Sequence, residues 1–185
     1  MTLTAARWAL LALGATLAMA TLAADSAIDL AQSSIVATLR QESVPIDAPF
    51  ERFSGSIVYD AAHPEAASAA ITIDMTSLDI GDETSTAEVR KLAWFDSAHF
   101  PQATFRSTAI KPGATGHFDA TGTLTIKGKA QTITVAVTVE RSATANAFEG
   151  GFDLSRRYFG IGDPSWDEVL EDQVRVHFRL QSAGT

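Results

Sequence analysis

The chain has 185 residues, 46% of them hydrophobic, and no cysteine. That suits a single domain with its own core and excludes disulfides, thiolate metal sites and cysteine-linked lipid anchors. Fourteen Lys and Arg stand against 22 Asp and Glu, a formal net charge of −8, which makes nucleic acid and anionic lipid headgroups poor partners.

Met1 to Arg7 is a short basic start, and Trp8 to Leu17 is an apolar run broken only by Gly14 and Thr16. Ala18-Met19-Ala20 fits the small-x-small rule for signal peptidase, and Thr21-Leu22-Ala23 offers a second cut. Residues 1–23 therefore read as a Sec-type signal peptide, cleaved after Ala20 or Ala23, leaving one domain over 24–185. An uncleaved N-terminal anchor is the alternative. Loss of Arg7 makes the remaining chain one charge more negative, and its charges are scattered, as on an ordinary solvated surface.

Ser33 to Arg40 reads as the first strand, with Ile35, Ala37 and Leu39 on one face. Phe50 to Tyr59 is the second, with Phe53, Gly55, Ile57 and Tyr59 together, and Pro45 and Pro49 mark the stretch before it as irregular. Ala69 to Met75 resumes the alternation. It then stops at Ser85-Thr86-Ala87-Glu88, a capping box that predicts a helix of about ten residues carrying Val89, Leu92 and Ala93. An aromatic loop follows with Trp94, Phe95 and Phe100. Ala103 to Ile110 is the fourth strand.

Gly116 to Ile126 and Gln131 to Glu140 alternate apolar residues (Phe118, Leu124, Ile126, then Ile133, Val135, Val137, Val139) with a Thr-rich face. That is a half-buried hairpin, turned at Lys127-Gly128-Lys129. Ala147 to Arg156 aligns Phe148, Gly150, Phe152 and Leu154. After an irregular connection, Gln173 to Leu180 turns Val174, Val176, Phe178 and Leu180 inward and Arg175, His177 and Arg179 outward. About eight antiparallel strands with one short helix between the third and fourth predict an all-β barrel or sandwich. Glycines inside strands, Gly55, Gly122, Gly150 and Gly151, favour a barrel with space inside.

No catalytic or metal site emerges. His63, His99, His117 and His177 stand singly, without metal-ligand spacing, and no nucleophile elbow, phosphate loop or H-E-x-x-H is present. Glu168, Glu171 and Asp172 read as a solvated charge run. Arg156-Arg157 beside Tyr158 suits either a polar headgroup at a barrel mouth or an ion pair with an acidic neighbour. Ten Phe, six of them inward by alternation (Phe53, Phe105, Phe118, Phe148, Phe152, Phe178), suit a filled core and an apolar tunnel equally.

The order of residues is more specific. Phe50-Glu51-Arg52-Phe53-Ser54-Gly55-Ser56-Ile57, Ser77-Leu78-Asp79-Ile80-Gly81, Trp94-Phe95-Asp96 and Phe100-Pro101-Gln102-Ala103-Thr104-Phe105-Arg106 resemble successive blocks of the YceI-like family. Gly122-Thr123-Leu124-Thr125-Ile126-Lys127-Gly128, Arg156 with Phe159-Gly160-Ile161-Gly162, and Trp166-Asp167 continue the match. The resemblance implies a lipocalin-like barrel of eight antiparallel strands, exported to the periplasm, holding a polyisoprenoid chain such as a quinone tail. Many members carry Arg-Asp-x-His-Leu where this chain has Glu88-Val89-Arg90-Lys91-Leu92-Ala93-Trp94, so no headgroup role transfers from that His. This variant resembles a subgroup associated with di-haem b-type cytochromes of the inner membrane.

The leading expectation is a non-enzymatic carrier of a polyisoprenoid lipid, with an isoprenoid quinone or another polyprenyl lipid as ligand and no cofactor or metal. Its ligand-contacting set is Phe53, Ile57, Phe105, Phe118, Leu124, Phe148 and Phe152 on the strands. Leu92, Trp94, Phe95 and Phe100 join them from the helix and loop, and Arg156, Phe159 and Trp166 from the late connection. The alternative is an accessory module docking on a membrane b-type cytochrome, its barrel filled by its own Phe side chains. A lipid hydrolase or isomerase lacks an activated nucleophile. A homodimer is left open. The segment Val89 to Phe105 is expected to be a lid, with Leu92, Trp94, Phe95 and Phe100 beneath and Arg90, Lys91 and Asp96 in water.

Overall fold

The computed structural model describes residues 25–183; the signal-peptide reading lies outside them. One antiparallel sheet contains ten strands: β1 (Asp25–Ala27), β2 (Ser34–Gln41), β3 (Val44–Pro49), β4 (Phe53–Val58), β5 (Ser68–Asp74), β6 (Gln102–Pro112), β7 (His117–Ile126), β8 (Lys129–Arg141), β9 (Ala145–Ser155) and β10 (Gln173–Ala183). Their spatial order is β1-β4-β5-β6-β7-β8-β9-β10-β2-β3. The sheet curls into a half-barrel. Its open side is stitched by short bridges, Ile28 to Ser182 and Phe50 to Leu78, and by the Asp29 N–H donating to the Gln181 carbonyl at 2.8 Å.

The expected eight strands are thus ten among the described residues. Asp25–Ala27 pairs with β4, and the stretch read as irregular pairs with β2 from Val36–Pro49 to Gln41–Val44. Its prolines are tolerated because β3 is an edge strand, with one row of N–H positions unpaired anyway. Glu42 and Ser43, both at positive φ (49° and 69°), make the β2–β3 turn without glycine, so no turn signal announced it. The β7–β8 turn is tighter than expected. Only Lys127 and Gly128 connect the strands, at φ 49° and 73°, the pairing a type I′ turn requires.

Helix α1 (Glu83–Val89) lies between β5 and β6. It begins earlier than the capping box suggested: Asp82 caps it, accepting from the Ser85 N–H at 2.8 Å. An aspartate is the stronger cap because its full charge also meets the helix dipole. A second helix, α2 (Arg156–Phe159), was not expected. Ser155 caps it through the Tyr158 N–H, and Gly160 closes it in the left-handed region at φ 67°.

Alternation sends one face of each long strand inward. On the outer face of β9 and β10, Arg175 pairs with Asp153 and Arg179 with Glu149, each directly across the ladder. Two of the strand glycines have a definite use. A Cβ on Gly122 would stand 2.5 Å from Cζ of Phe105, and one on Gly150 2.8 Å from Cζ of Phe178. The room these glycines leave is taken by the rings of Phe105 and Phe178.

Candidate functional site

Two cavities of about 130 and 100 Å³ occupy the inside of the half-barrel. Ile35, Ile73, Leu124, Phe152 and Val176 line both, so the two abut at a waist inside the half-barrel. The first lies towards the ends of β4, β6, β8 and β10, lined there by Tyr59, Ala67, Ser68, Phe118, Phe148 and Leu180. The second lies under α1 and α2, lined there by Val89, Trp94, Phe95, Arg156, Ile161 and Leu170. Carbon makes up nearly all of both walls, and an apolar cavity of this order stays dry and accepts apolar guests. Phe105, Phe152, Phe178, Val137 and Val174 face inward yet are only half-buried, because the centre is open.

The two ends differ. Of all the lining residues only Ser68, in the first cavity, is exposed. A lid that can open was expected over Val89 to Phe105. The segment is instead tied down: the Phe95 N–H donates to the Val89 carbonyl, the Gly162 N–H to Ala93, and Lys127 Nζ to Leu92 at 2.8 Å and Gly160 at 2.7 Å. Burial pushes the Lys127 ammonium below the ordinary lysine range, against the opposing pull of Asp96.

Of the expected ligand-contacting residues, Ile57, Phe105, Phe118 and Phe148 line the first cavity, Trp94, Phe95 and Arg156 the second, and Leu124 and Phe152 both. Five stand elsewhere. Phe53 and Phe159 are packed in the core, Phe159 with no exposed surface at all. Leu92 is 71% exposed, because the chain leaves helical geometry after Val89 and the 3.6-residue spacing that would have turned it inward is lost. Phe100 lies over Gly128 of the β7–β8 turn, and Trp166 is partly exposed, tilted at 59° against Trp94 with ring centroids 5.7 Å apart. Asp96, expected in water, is buried and paired with His99 Nδ1 at 2.8 Å. Sequence reasoning also passed over the aliphatic lining, such as Ile71, Ile110 and Leu180; their inward register was readable, but nothing distinguished lining from packing.

Arg156 is the one charged lining residue, 2% exposed. Its Nε donates to the Glu171 carbonyl at 3.1 Å, Nη1 to Ile161 at 3.1 Å, and Nη2 to Leu170 at 3.1 Å and to the Asp167 carboxylate at 2.6 Å. The guanidinium clips the connection 161–171 shut, and its stem walls the cavity. The ion-pair alternative for Arg156 is the arrangement found. Nearby, burial alone would raise the Asp172 carboxyl, but the Arg157 N–H, the Ser155 hydroxyl and two arginine charges outweigh it and hold the group low.

A model of the YceI-like domain matches residues 27–182, nearly the whole described structure. The chain belongs to the YceI-like family. Among curated YceI-like relatives, a UPF0312 protein of Azotobacter vinelandii is 30% identical over 118 residues, 60% of this chain and 62% of its own. Protein YceI of Escherichia coli O157:H7 is 33% identical over 86 residues, 46% and 44%. The chain thus spans less than two thirds of the curated relatives it matches. Among solved structures, Burkholderia cenocepacia BcnA superposes with a TM-score of 0.81 at 38% identity, over 83% of this chain and 98% of BcnA. A polyisoprenoid binding domain from Saccharophagus degradans, implicated in plant cell wall breakdown, superposes at 0.70 over 89% of this chain and all of that one; at 18% identity it shows the fold alone.

Proposed function

We propose that this YceI-like chain is a non-enzymatic binding protein for a long apolar lipid of the polyisoprenoid class, such as an isoprenoid quinone, working in the periplasm after export. The observation that carries the reading is the pair of abutting hydrocarbon-lined cavities. A ligand of about forty heavy atoms at about −0.3 kcal/mol each would reach about −12 kcal/mol, roughly nanomolar, with no charged anchor, and the half-barrel must widen beyond the 130 and 100 Å³ now open to enclose all of it. The Saccharophagus domain, named for polyisoprenoid binding, lends support by its fold. Catalysis finds no help in the lining: its one charged side chain, Arg156, is spent on the protein's own carbonyls and Asp167. Docking on a b-type cytochrome with a barrel filled by Phe side chains is the weaker reading, since open space remains inside with Phe105, Phe148, Phe152 and Phe178 among its walls.

The test is organic extraction of the natively purified protein followed by mass spectrometry, then reloading of the stripped protein with a fluorescent prenyl lipid. One prenyl lipid per chain is expected. Val176→Trp, which plugs the waist, is expected to abolish uptake of the long chain. A protein that carries nothing and takes up nothing would overturn the reading.

A further inference from the structure

Resting on the binding function just proposed, we infer that the wall which yields to a long chain is β3: the second cavity widens as β3 swings away from residues 77–80. A paired strand cannot leave its neighbour without losing a row of hydrogen bonds. β3 ends the sheet, and from Val44 to Ala48 its outer edge pairs with no backbone group among the described residues. The other terminal strand, β1, is backed by β10 through the Ile28–Ser182 bridge. What faces β3 is the start of the connection after β5, joined to it at the single bridge Phe50–Leu78. Two long hydrogen bonds flank that bridge, from the Glu51 N–H to the Ser77 carbonyl and from the Asp79 N–H to the Pro49 carbonyl, both at 3.2 Å. Arg52 is fixed more firmly. Its N–H donates to Ser77 Oγ at 3.0 Å and its Nε to Asp74 at 2.9 Å, so β4 stays in place and the chain hinges at Phe50 and Glu51.

Both lips of this joint are walls of the second cavity, Ala48 and Phe50 on one side and Leu78 and Ile80 on the other, so parting them enlarges that cavity directly. Among the described residues no ion pair joins 44–51 to 77–83. The exposed charges on both lips are acidic, Asp47 and Glu51 on one and Asp79, Asp82 and Glu83 on the other, and like charges do not hold a joint closed. Pro45 and Pro49 lack the N–H that could tighten the edge. The rest of the cover over the same cavity is fastened by charged donors, Lys127 to Leu92 and Gly160 and Arg156 to four acceptors. The β3 joint is the weak one.

The chain has no cysteine, so thiols placed at Phe50 and Leu78 can pair only with each other within it. Such a directly opposed pair, flanked by its two hydrogen bonds, stands about 4.5 Å apart at Cα, within reach of a disulfide. The experiment uses stripped Phe50→Cys/Leu78→Cys and two probes, geraniol and hexaprenol. The reduced form is expected to bind both; the oxidised form keeps geraniol and loses affinity for hexaprenol by about tenfold or more. Comparing one protein in two redox states cancels the effect of the substitutions themselves. In the unmodified protein, loading with hexaprenol is expected to speed deuterium exchange at the Glu51 and Asp79 amides and to leave the β7–β8 ladder unchanged. Equal affinity of the oxidised and reduced forms for hexaprenol, or slower exchange at both amides on loading, overturns the inference. Failure of the native protein to bind either prenol would instead refute the binding function itself.

Discussion

Replacing Arg156 with leucine removes the clip beside the second cavity. The side chain is 2% exposed, so its loss leaves the Asp167 carboxylate and the carbonyls of Ile161, Leu170 and Glu171 without their donor. Breaking a buried pair from one side costs about 3–5 kcal/mol. Asp167 is 36% exposed in its side chain and rehydrates, which sets the figure towards the lower end, about 3 kcal/mol. In a domain of this size each kcal/mol moves the melting point by about 2–4 °C, so a fall of about 6–12 °C is expected by near-ultraviolet circular dichroism. Arg156→Lys should recover only part of it, because an ammonium cannot reach four acceptors spread around a planar fork. A fall below about 3 °C with a large loss of lipid affinity would refute this reasoning and restore Arg156 as a headgroup anchor.

Gly150→Ala forces a Cβ to within 2.6 Å of the Ala136 carbonyl and 2.8 Å of the Phe178 ring. It should cost about 1–3 kcal/mol in chemical denaturation and drive the ring into the lumen, cutting uptake of a prenyl lipid. Trp94→Ala is expected to lower stability by about 3–5 kcal/mol without ligand and by somewhat more with it, since Trp94 is packed at 8% exposure and also lines the second cavity; a loss confined to the loaded form would support the lid. Acid should unfold the protein late. The Thr76 hydroxyl, with the Thr76 N–H and Arg52, holds Asp74 below the usual carboxylate range, and Arg175 does the same for Asp153. A depressed carboxylate contributes stability fully present above its unfolded value of about 3.9 and lost as pH falls through the folded value. Denaturation midpoints should therefore hold level from neutrality to about pH 5 and drop below about pH 4, with a shallower drop in Asp74→Asn. A decline already complete above pH 5 would contradict this.

The strands that carry the tunnel were legible because period-two alternation survives the fold: Phe118, Leu124, Phe148 and Phe152 all face the lumen as their spacing predicts. Legibility failed where structure depends on partners remote in sequence. Pro45 and Pro49 concealed β3, since a strand with prolines is acceptable only at an edge, and edges are set by topology. Leu92 and Asp96 exchanged their expected environments once α1 ended at Val89. The burial of Arg156 rests on acceptors 5 to 15 residues away, beyond any local pattern. Tyr59 was placed on one face with Ile57, and both line the first cavity.

The strand order has a consequence for how the chain folds. From β4 to β10 every strand pairs with its neighbours in sequence, so a meander can grow strand by strand, with longer connections to close only after β5 (residues 75–101) and β9 (residues 156–172). The wall is completed by a different kind of contact, β2 against β10 and Ile28 against Ser182, which joins segments from opposite ends of the described chain. Such distant contacts carry the largest loop-closure cost and form slowly. Until residues 173–183 arrive, β9 and β2 both present bare edges, the kind that recruit other chains. The interior thus comes into being in one late step, and a chain cut short after β9 would possess most of the strands and none of the enclosed space.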